Sequence, residues 1–404
     1  MSDKIKIRAL PDAIEEEIRK NKEENIENRR HIHMHPETGF DTQETEKFVK
    51  SRLEALGIEI IPTTVGVVGI IRGPKDGPTI ALRADMDALN LTEDTGVPYA
   101  SQIPGKMHAC GHDAHTAILL GTSKILQEHR DLLKGDVIVI FQPAEEGPNL
   151  GGARIILKDF NEKGITEKIR YMFGLHVSND APTGVVRHKY GSTMASTDEI
   201  EITVHGKGGH PGRPHQTIDA LSVTAKIVTA VEAFVSRRID PFDQVVVSFG
   251  IMKAGTAKNI VAEEGILQGT IRCQNETTRA MVLEKLENIT KHVCAAYDAT
   301  CDVKIIHGLP VLRNDPEAAK YAEDVVREAL PQYSIDEMDK GSMGAEDFSY
   351  FAQAMKTCFM FIGSANPDKG ATYPGHNPRF NIDEDVIDIG IRIECALVLN
   401  ADTI

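Results

Sequence analysis

Short apolar runs that alternate with helical segments constrain the fold of this chain more than any other feature of its sequence. Four of these runs are rich in β-branched residues and have the length of buried strands: VGVVGII (65–71), TIALRA (79–84), DVIVIFQ (136–142) and YMFGLHV (171–177). A segment at about 113–129, with apolar residues at helical spacing, separates the second run from the third. This alternation of strand and helix predicts an α/β fold.

A block with a different pattern interrupts the alternation. Its predicted elements are a strand, a helix, two strands, a helix and a strand, at 198–206, 217–237, 245–251, 265–273, 277–297 and 301–308. This βαββαβ order is typical of a ferredoxin-like domain, in which two helices back one antiparallel sheet. The α/β pattern then returns as a helix, a strand and a helix, at 315–329, 358–363 and 383–399. We therefore expect residues 194–308 to be a domain inserted into a larger one formed by residues 1–193 and 309–404.

The size and charge of the chain disfavour several classes of protein. With 404 residues it is too long for one ordinary core, in agreement with two domains. Its formal net charge of −15 argues against nucleic acid and anionic membranes as partners, because both attract basic patches. No apolar run reaches ~18 residues, so we expect no membrane-spanning segment.

The cysteines and the first residues bear on the compartment. Six cysteines are scattered along the chain without a CxxC pair, which in a chain of this length indicates reduced thiols. The first segment is highly charged and lacks the apolar stretch of a secretory signal. We therefore expect a cytoplasmic location.

The stretch MHACGHDAH, residues 107–115, is the first candidate for chemistry. Cys110 and His112 are separated by one glycine, on the loop that precedes the helix predicted to begin near Asp113. An extended or turning backbone can direct both side chains to one ion, and thiolate and imidazole suit zinc and other divalent metals. The alternative is a buried cysteine beside an aspartate that caps the helix.

Two adjacent glutamates follow the strand predicted at 136–142. Glu145 and Glu146 leave this strand in the sequence FQPAEEGPNLGG and enter a Gly/Pro loop. Neighbouring residues at a strand end point in different directions, so one carboxylate can bind a metal while the other accepts a proton from water. The alternative is a solvated acidic loop.

Three further histidines are weaker candidates when each is taken alone. His176 ends the run YMFGLHV, where a histidine satisfied within the core is the alternative. His376 lies in a turn before Asn-Pro, where we expect a rigid, extended backbone, and mere exposure is the alternative. His210, in GKGGHPGRPH, lies in a Gly-rich hairpin tip that can present an imidazole outward or be an ordinary flexible loop.

Two other clusters have structural interpretations. His31, His33 and His35 alternate in HIHMHP, within a helical region at about 11–57 that is interrupted at His35-Pro36. Side chains at i and i+2 diverge on a helix, so we interpret these three histidines as structural. Asp85 and Asp87 lie on one face of a strand end, where they can support ligand histidines or form a turn.

These motifs together resemble peptidase family M20, subfamily D, which includes hippurate hydrolase, N-acyl-amino-acid amidohydrolases and auxin-conjugate hydrolases. The matching stretches span residues 29–383 and occur in order: RRHIHMHPETGF, ALRADMDAL, HACGHDAHTA, FQPAEEGP, GLHV, GKGGHPGRPH, GTAKNIVAEEGILQGTIR, GAEDFSYF and GHNPRFNID. The resemblance implies a zinc-peptidase-like α/β catalytic domain interrupted by a lid domain that usually forms a homodimer. It also implies two divalent metal ions per subunit, which could be zinc, manganese, cobalt or nickel.

The resemblance assigns roles to individual residues. The positions that match metal ligands are Cys110, His112, Glu146, His176 and His376. Glu145 matches the general base, and Asp87 matches a carboxylate that supports the metal ligands. His210 matches a lid histidine that polarises the scissile carbonyl in the neighbouring subunit, and Asn259 matches a lid position that contacts substrate. The residues after His210, Pro-Gly, depart from the small alanine-like residues that are usual there.

The expected function is hydrolysis of the amide bond of N-acyl or N-aroyl amino acids or of short peptides. An acidic protein needs local cationic or amide groups to bind an acidic substrate, and Arg272 is a further candidate beside Asn259. We expect His108 and His115 to take no part in metal binding, and Asp113 to cap a helix or hold a neighbour. The alternatives are a non-catalytic metal- or peptide-binding protein that retains the fold, and a structural zinc site at Cys110. The adjacent Glu145 and Glu146 argue against a binder, which has no need of a proton acceptor.

Overall fold

The computed structural model describes residues 6–147 and 151–403. Residues 148–150, in the Gly/Pro loop predicted after residue 142, lie outside this part, as do residues 1–5 at the start of the predicted large domain and residue 404 at its end. The chain divides into two units. The large unit comprises the described residues of Met1–Gly191, Arg313–Lys340 and Asp347–Ile404, and the inserted unit comprises Ser192–Leu312 and Gly341–Glu346.

The elements are numbered in chain order. The α-helices are α1 (Asp12–Lys20), α2 (Lys22–Met34), α3 (Gln43–Ala55), α4 (His112–Glu128), α5 (Gly151–Glu162), α6 (Ala220–Arg238), α7 (Glu276–Ala295), α8 (Pro316–Ala329), α9 (Ser349–Ala354) and α10 (Asp385–Leu399). The strands are β1 (Glu59–Ile61), β2 (Val67–Ile71), β3 (Thr79–Asp85), β4 (Val137–Gln142), β5 (Ile169–Pro182), β6 (Val185–His188), β7 (Gly191–Met194), β8 (Asp198–His205), β9 (Val245–Ala254), β10 (Glu264–Cys273), β11 (Thr300–His307), β12 (Leu312–Asn314), β13 (Ser334–Glu337) and β14 (Thr357–Ala365).

A mixed eight-stranded sheet forms the centre of the large unit, in the order β1-β2-β4-β3-β5-β14-β6-β13. The strands β4, β3, β5 and β14 run parallel to one another, while β1 and β2 extend one side in antiparallel fashion. β4 is buried along its whole length, as a strand covered on both faces must be. Helix α4 contacts β3, β4 and β5 and is itself in contact with α2 and α10, so its apolar residues are buried nearly all round.

The inserted unit has one antiparallel sheet with the order β11-β8-β10-β9 and two helices, α6 and α7. Burial alternates along β8, whose Ile200, Ile202 and Val204 enter the core shared with these helices. The strand and helix order is the predicted βαββαβ, and the predicted α/β fold is confirmed.

Several short elements were not predicted. Helix α9 and the four-residue strands β6 and β13 are too short to show a periodic pattern. Helix α5 was missed although its buried Ala153, Ile156 and Phe160 recur at helical spacing. The predicted break near His35-Pro36 is present, since α2 ends at Met34 and α3 begins at Gln43. Among the described residues, no helix is both long and apolar enough to cross a membrane.

Candidate metal centre

A tight glycine turn places Cys110 and His112 near the carboxyl end of β3. Helix α4 begins at His112, and its N-cap residue Gly111 has a left-handed φ of 89°. A Cβ atom here would collide with Val177 on β5, so both the backbone conformation and the available space require glycine. This turn explains how two residues separated by one position reach the same cluster of side chains.

The tautomer of His112 follows from its hydrogen bond. The imidazole Nδ1 lies 2.8 Å from the backbone oxygen of Asp87. Because a carbonyl oxygen only accepts, Nδ1 must carry a proton, and in the neutral ring Nε2 carries the lone pair. Within the described part of the chain, Nε2 is buried without a hydrogen-bond partner. Burial alone would lower the pKa of His112, but Asp85 holds it well above its ordinary value, so the lone pair on Nε2 becomes available when the ring gives up this proton to a metal.

A hydrogen bond to a backbone carbonyl also orients His176. Its Nδ1 lies 2.7 Å from the backbone oxygen of Val177, so its Nε2 also carries a lone pair. This Nε2 is 3.4 Å from the Sγ atom of Cys110. Burial lowers the pKa of His176 to about 3, which keeps the imidazole neutral and able to bind a metal.

The two glutamates are held by a single aspartate. The Asp87 carboxylate accepts the backbone N–H of Glu145 at 2.9 Å and that of Glu146 at 3.1 Å. The preceding residue, Ala144, has a φ of 60°, a conformation that L-residues rarely adopt and that turns the chain out of β4. Asp87 thus supports His112 through its backbone and both glutamates through its side chain.

His376 reaches the same place from a long loop between β14 and α10. Its backbone N–H donates to the oxygen of Ala109 at 2.7 Å, and its Nε2 lies 2.9 Å from Oε1 of Glu146. Its φ of 62° is left-handed, so the extended backbone that we expected at this position is wrong. The close contact with the Glu146 carboxylate raises the pKa of His376.

The five predicted ligands and the predicted base are brought together. Overlapping groups have potential ligand atoms that all lie within 4.8 Å of one another: Cys110, His112 and His176; Cys110, Glu146 and His376; and His112, Glu145 and Glu146. Because these groups share residues, they form one cluster, although Cys110 and His376 are 266 residues apart in the sequence (376 − 110). We call these six residues the central cluster.

His115, which we expected to take no part in metal binding, lies beside the central cluster. Its Nδ1 bonds Oδ1 of Asp85 at 2.6 Å, and its Nε2 accepts the backbone N–H of Val177 at 2.8 Å. Both ring nitrogens are therefore in use, so His115 supports the strand that carries His176 and has no lone pair left for a metal. Burial alone would raise the pKa of Asp85, but the nearby His112 and Arg83 hold it well below its ordinary value.

Asp113 and His108 flank the cluster on α4 and the loop before it. The Asp113 carboxylate accepts hydrogen bonds from Arg29 at 2.7 Å and from Nδ1 of His33 at 2.8 Å, so it holds neighbours and does not cap the helix. His33 is thus in a buried ion-pair network, as the structural interpretation of its motif requires. His108 is buried, and in the described part of the chain neither of its ring nitrogens has a hydrogen-bond partner.

The donors of the central cluster fit divalent metal ions. Burial raises the pKa of the Cys110 thiol to about 12, so a thiolate at this position needs a nearby cation. One thiol, three imidazoles and carboxylates match the ligand preferences of zinc and its neighbours. The side chain of His376 is 57% exposed and that of Glu146 16%, whereas that of His112 is 1% exposed. The cluster therefore has a buried floor and an open side, as a catalytic metal site requires.

The remaining predicted residues belong to the inserted unit. His210 is exposed, and its Nδ1 accepts the backbone N–H of Gly212 at 3.0 Å. Asn259 is exposed on the loop between β9 and β10. Arg272 lies on β10, where burial lowers its pKa.

Some of the supporting residues could not be expected from the sequence. Arg83 is fully buried and donates to Asp85 at 2.7 Å and to Gln142 at 2.9 Å, which links two strand ends beneath the cluster. Arg29 makes the corresponding link between α2 and α4. The sequence shows only that one arginine lies within an apolar strand and that the other lies beside buried positions of a helix. Neither observation identifies the residue that the arginine binds.

The fold and the cluster define a hydrolase-like α/β protein with a candidate two-metal site, and comparison with known proteins agrees. The model of the family described as "Peptidase family M20/M25/M40" matches residues 81–400. Thermostable carboxypeptidase 1 of Saccharolobus solfataricus is 39% identical over 396 residues, which cover 96% of this chain and 98% of that relative. N-acetylcysteine deacetylase of Bacillus subtilis is 36% identical over 367 residues, which cover 90% of this chain and 93% of the deacetylase.

A solved structure extends the comparison. A Bacillus subtilis protein described as a dinuclear metal-binding peptidase of the M20 family is 32% identical, with a TM-score of 0.83 over 96% of this chain and 100% of that structure. This chain belongs to Peptidase family M20/M25/M40, and the predicted family is confirmed. The prediction that it is a hydrolase of amide bonds is confirmed with it.

Proposed function

We propose that this chain is a two-metal amidohydrolase that cleaves N-acyl or N-aroyl amino acids, or short peptides with a free carboxylate. The observation that carries the proposal is the pair of imidazole lone pairs, on His112 and His176, that backbone carbonyls direct into a cluster already containing Cys110 and Glu146. The relatives are named as a carboxypeptidase and as a deacetylase of an N-acylated amino acid, which supports this substrate class.

The residues of the central cluster divide into two roles. Cys110, His112, Glu146, His176 and His376 would hold two divalent ions, for which zinc, manganese, cobalt and nickel are all candidates. When bound, these ions would supply Lewis acidity, which acidifies water and polarises an amide carbonyl. Glu145, beside His112 and Glu146, accepts the proton of the attacking water and returns it to the leaving amine.

A variant of Glu145 separates these roles. In Glu145→Gln we expect the metal content to be unchanged and kcat to fall by ~10²- to 10⁴-fold, because proton transfer is lost and the ligands are kept. The neighbouring Glu146→Gln should instead lose metal, and it serves as the matched control. Turnover of Glu145→Gln at the wild-type rate would refute the assignment.

We further propose that the inserted unit forms a homodimer and acts as a lid, with His210 stabilising the developing oxyanion in the neighbouring subunit. β9 is an edge strand of its sheet, and Val246, Ile251 and Met252 on this strand are exposed, which supports a pairing surface. Asn259 and Arg272 are proposed to bind the substrate carboxylate. Sedimentation of the purified protein tests the dimer, and a monomer at micromolar concentration would contradict it.

The substrate and the metal are identified in one screen. The apo-protein is reconstituted separately with zinc, manganese, cobalt and nickel, and each form is assayed against a panel of N-acyl amino acids. Mild chelation tests the alternative of a structural zinc, because a catalytic site loses activity reversibly while the protein stays folded. We also propose a cytoplasmic location, which the six free cysteine thiols support.

A further inference from the structure

We propose that Arg29 is a positioning residue that sets the distance between His112 and His376, and hence the geometry of the two-metal site. This inference rests on the metal centre proposed above. Arg29 lies on α2, in the motif RRHIHMHP, and is absent from the central cluster. Its side chain is 1% exposed, so its charge must be compensated by the groups around it.

The first link joins Arg29 to the helix that begins with His112. The Nε atom of Arg29 donates to Oδ2 of Asp113 at 2.7 Å. Asp113 is the residue after His112, in the first turn of α4, and its side chain is fully buried. His33, one turn further along α2, bonds the same oxygen at 2.8 Å. The start of α4 is therefore tied to α2 by two buried contacts.

The second link joins Arg29 to the loop that carries His376. Its other guanidinium nitrogens donate to Oδ1 of Asn381 at 3.3 Å and to Oε1 of Glu384 at 3.1 Å. The loop is also closed by the amide of Asn179, which donates to the backbone oxygens of Tyr373 and Asn381 at 2.7 and 2.8 Å. Asn179 therefore brackets the segment around His376, and Arg29 holds the side chain of Asn381 at one end of this segment.

The planar guanidinium is what makes this connection specific. One nitrogen of the rigid guanidinium binds Asp113, and the other two bind the loop that carries His376. Lysine has a single side-chain nitrogen and cannot reproduce this arrangement. His376 also needs an external constraint, because its φ of 62° is an unfavourable conformation that the surrounding structure must maintain. Partners outside the ligand shell typically change metal affinity by ~10- to 100-fold when they are removed.

The test compares Arg29→Lys with two control variants. Arg392→Lys alters a second buried arginine of the large unit, which bonds Glu15 on α1 and Asp388 on α10, two helices that carry none of the candidate ligands. Arg30→Lys alters the neighbouring arginine, which shares Glu384 with Arg29 but does not contact Asp113. Each metal-free protein is titrated with cobalt, and the visible spectrum and the dissociation constants of both ions are recorded.

We expect Arg29→Lys to bind cobalt ~10-fold or more weakly and with a changed visible spectrum, and to lower kcat more than it changes KM. Arg392→Lys and Arg30→Lys should keep the wild-type spectrum and affinities, even where the thermal midpoint falls. Added guanidinium should restore part of the cobalt affinity to Arg29→Ala. If Arg29→Lys does not fold, Asn381→Leu removes one of the two links on the loop side and should shift the spectrum in the same direction.

Two outcomes overturn the proposal in distinguishable ways. If Arg29→Lys, or Asn381→Leu in its place, binds two cobalt ions with the wild-type spectrum and affinities, Arg29 is only a structural residue and the metal centre stands. If the wild-type protein itself binds no cobalt, the proposed metal centre fails and the role of Arg29 fails with it.

Discussion

The functional candidates of the large unit and those of the inserted unit are held in opposite ways. His112 is buried and His176 is half-buried, and the Nδ1 atom of each is hydrogen-bonded to a backbone carbonyl. His210 and Asn259 lie exposed on loops, and the segment around His210 is rich in glycine. The large unit therefore builds a preorganised site before any ligand arrives, while the inserted unit presents groups whose positions the fold leaves adjustable.

The largest effect is expected from a substitution in the large unit. His112→Ala should lose metal and nearly all hydrolytic activity, because it removes a desolvated lone pair that no neighbour can replace. Metal analysis and an amide hydrolysis assay check this. The control is His115→Gln, which alters a buried histidine whose two nitrogens are already occupied and should keep more metal than His112→Ala.

A smaller effect is expected from a substitution in the inserted unit. His210→Ala should lower kcat by ~10²- to 10³-fold, in line with the loss of one donor to an oxyanion. Metal content and the thermal midpoint should stay at their wild-type values, because His210 is exposed and supports no buried network. Loss of metal in His210→Ala would remove the distinction between the two regions.

A pair of glycine substitutions tests the difference in rigidity. Gly111→Ala should lower the free energy of unfolding by at least about 1–3 kcal/mol, from the left-handed backbone alone, and the collision with Val177 adds to this. Gly250→Ala, on β9, meets no atom within 4 Å and should change stability by less than about 0.5 kcal/mol. Urea unfolding of both metal-free variants measures these changes in stability, and equal destabilisation by the two substitutions would contradict the prediction.

The last prediction concerns a buried carboxyl group away from the cluster. Burial raises the pKa of Glu394 to about 8 from an ordinary value of 4.5, opposed by a hydrogen bond from Thr122. Between these two values the folded protein holds a proton that the unfolded chain releases. The free energy of unfolding should therefore fall as pH rises through this window, with a contribution on the order of 1 kcal/mol per pH unit.

Glu394→Gln should remove this contribution, so its stability relative to the wild type should rise as the pH increases from ~4.5 and level off above about 8. Urea midpoints across the pH range measure the difference. The exposed Glu284 of the inserted unit provides the control, and Glu284→Gln should leave the pH profile unchanged. A Glu394→Gln profile parallel to that of the wild type would show that this carboxyl is not a source of pH dependence.

The sequence predicted the long elements and the candidate ligands because both leave local patterns. Periodic apolar runs mark β3, β4 and α4, and unusual pairs such as Cys110 with His112 mark chemistry. The short strands β6 and β13, each four residues long, carry too few residues to form a pattern. The left-handed backbone of His376 could not be inferred either, because it depends on a hydrogen bond to Ala109, which is 267 residues earlier (376 − 109).

The supporting network was the least predictable part of the site. Arg29 and Asp113 are 84 residues apart, and nothing local in either stretch identifies the other as its partner. His115 shows the same limit, since a histidine three residues after a candidate ligand gives no sign that Asp85 and Val177 occupy both of its nitrogens. Long-range polar pairing of this kind is decided by the packed fold.

The most direct test of the central claim is anomalous diffraction from crystals grown with zinc or manganese, recorded on both sides of the metal absorption edge. The account predicts two anomalous peaks in the large unit, surrounded by Cys110, His112, Glu146, His176 and His376, with the carboxylate of Glu145 beside them and not bound to either ion. A single peak, or peaks that these side chains do not surround, would contradict it.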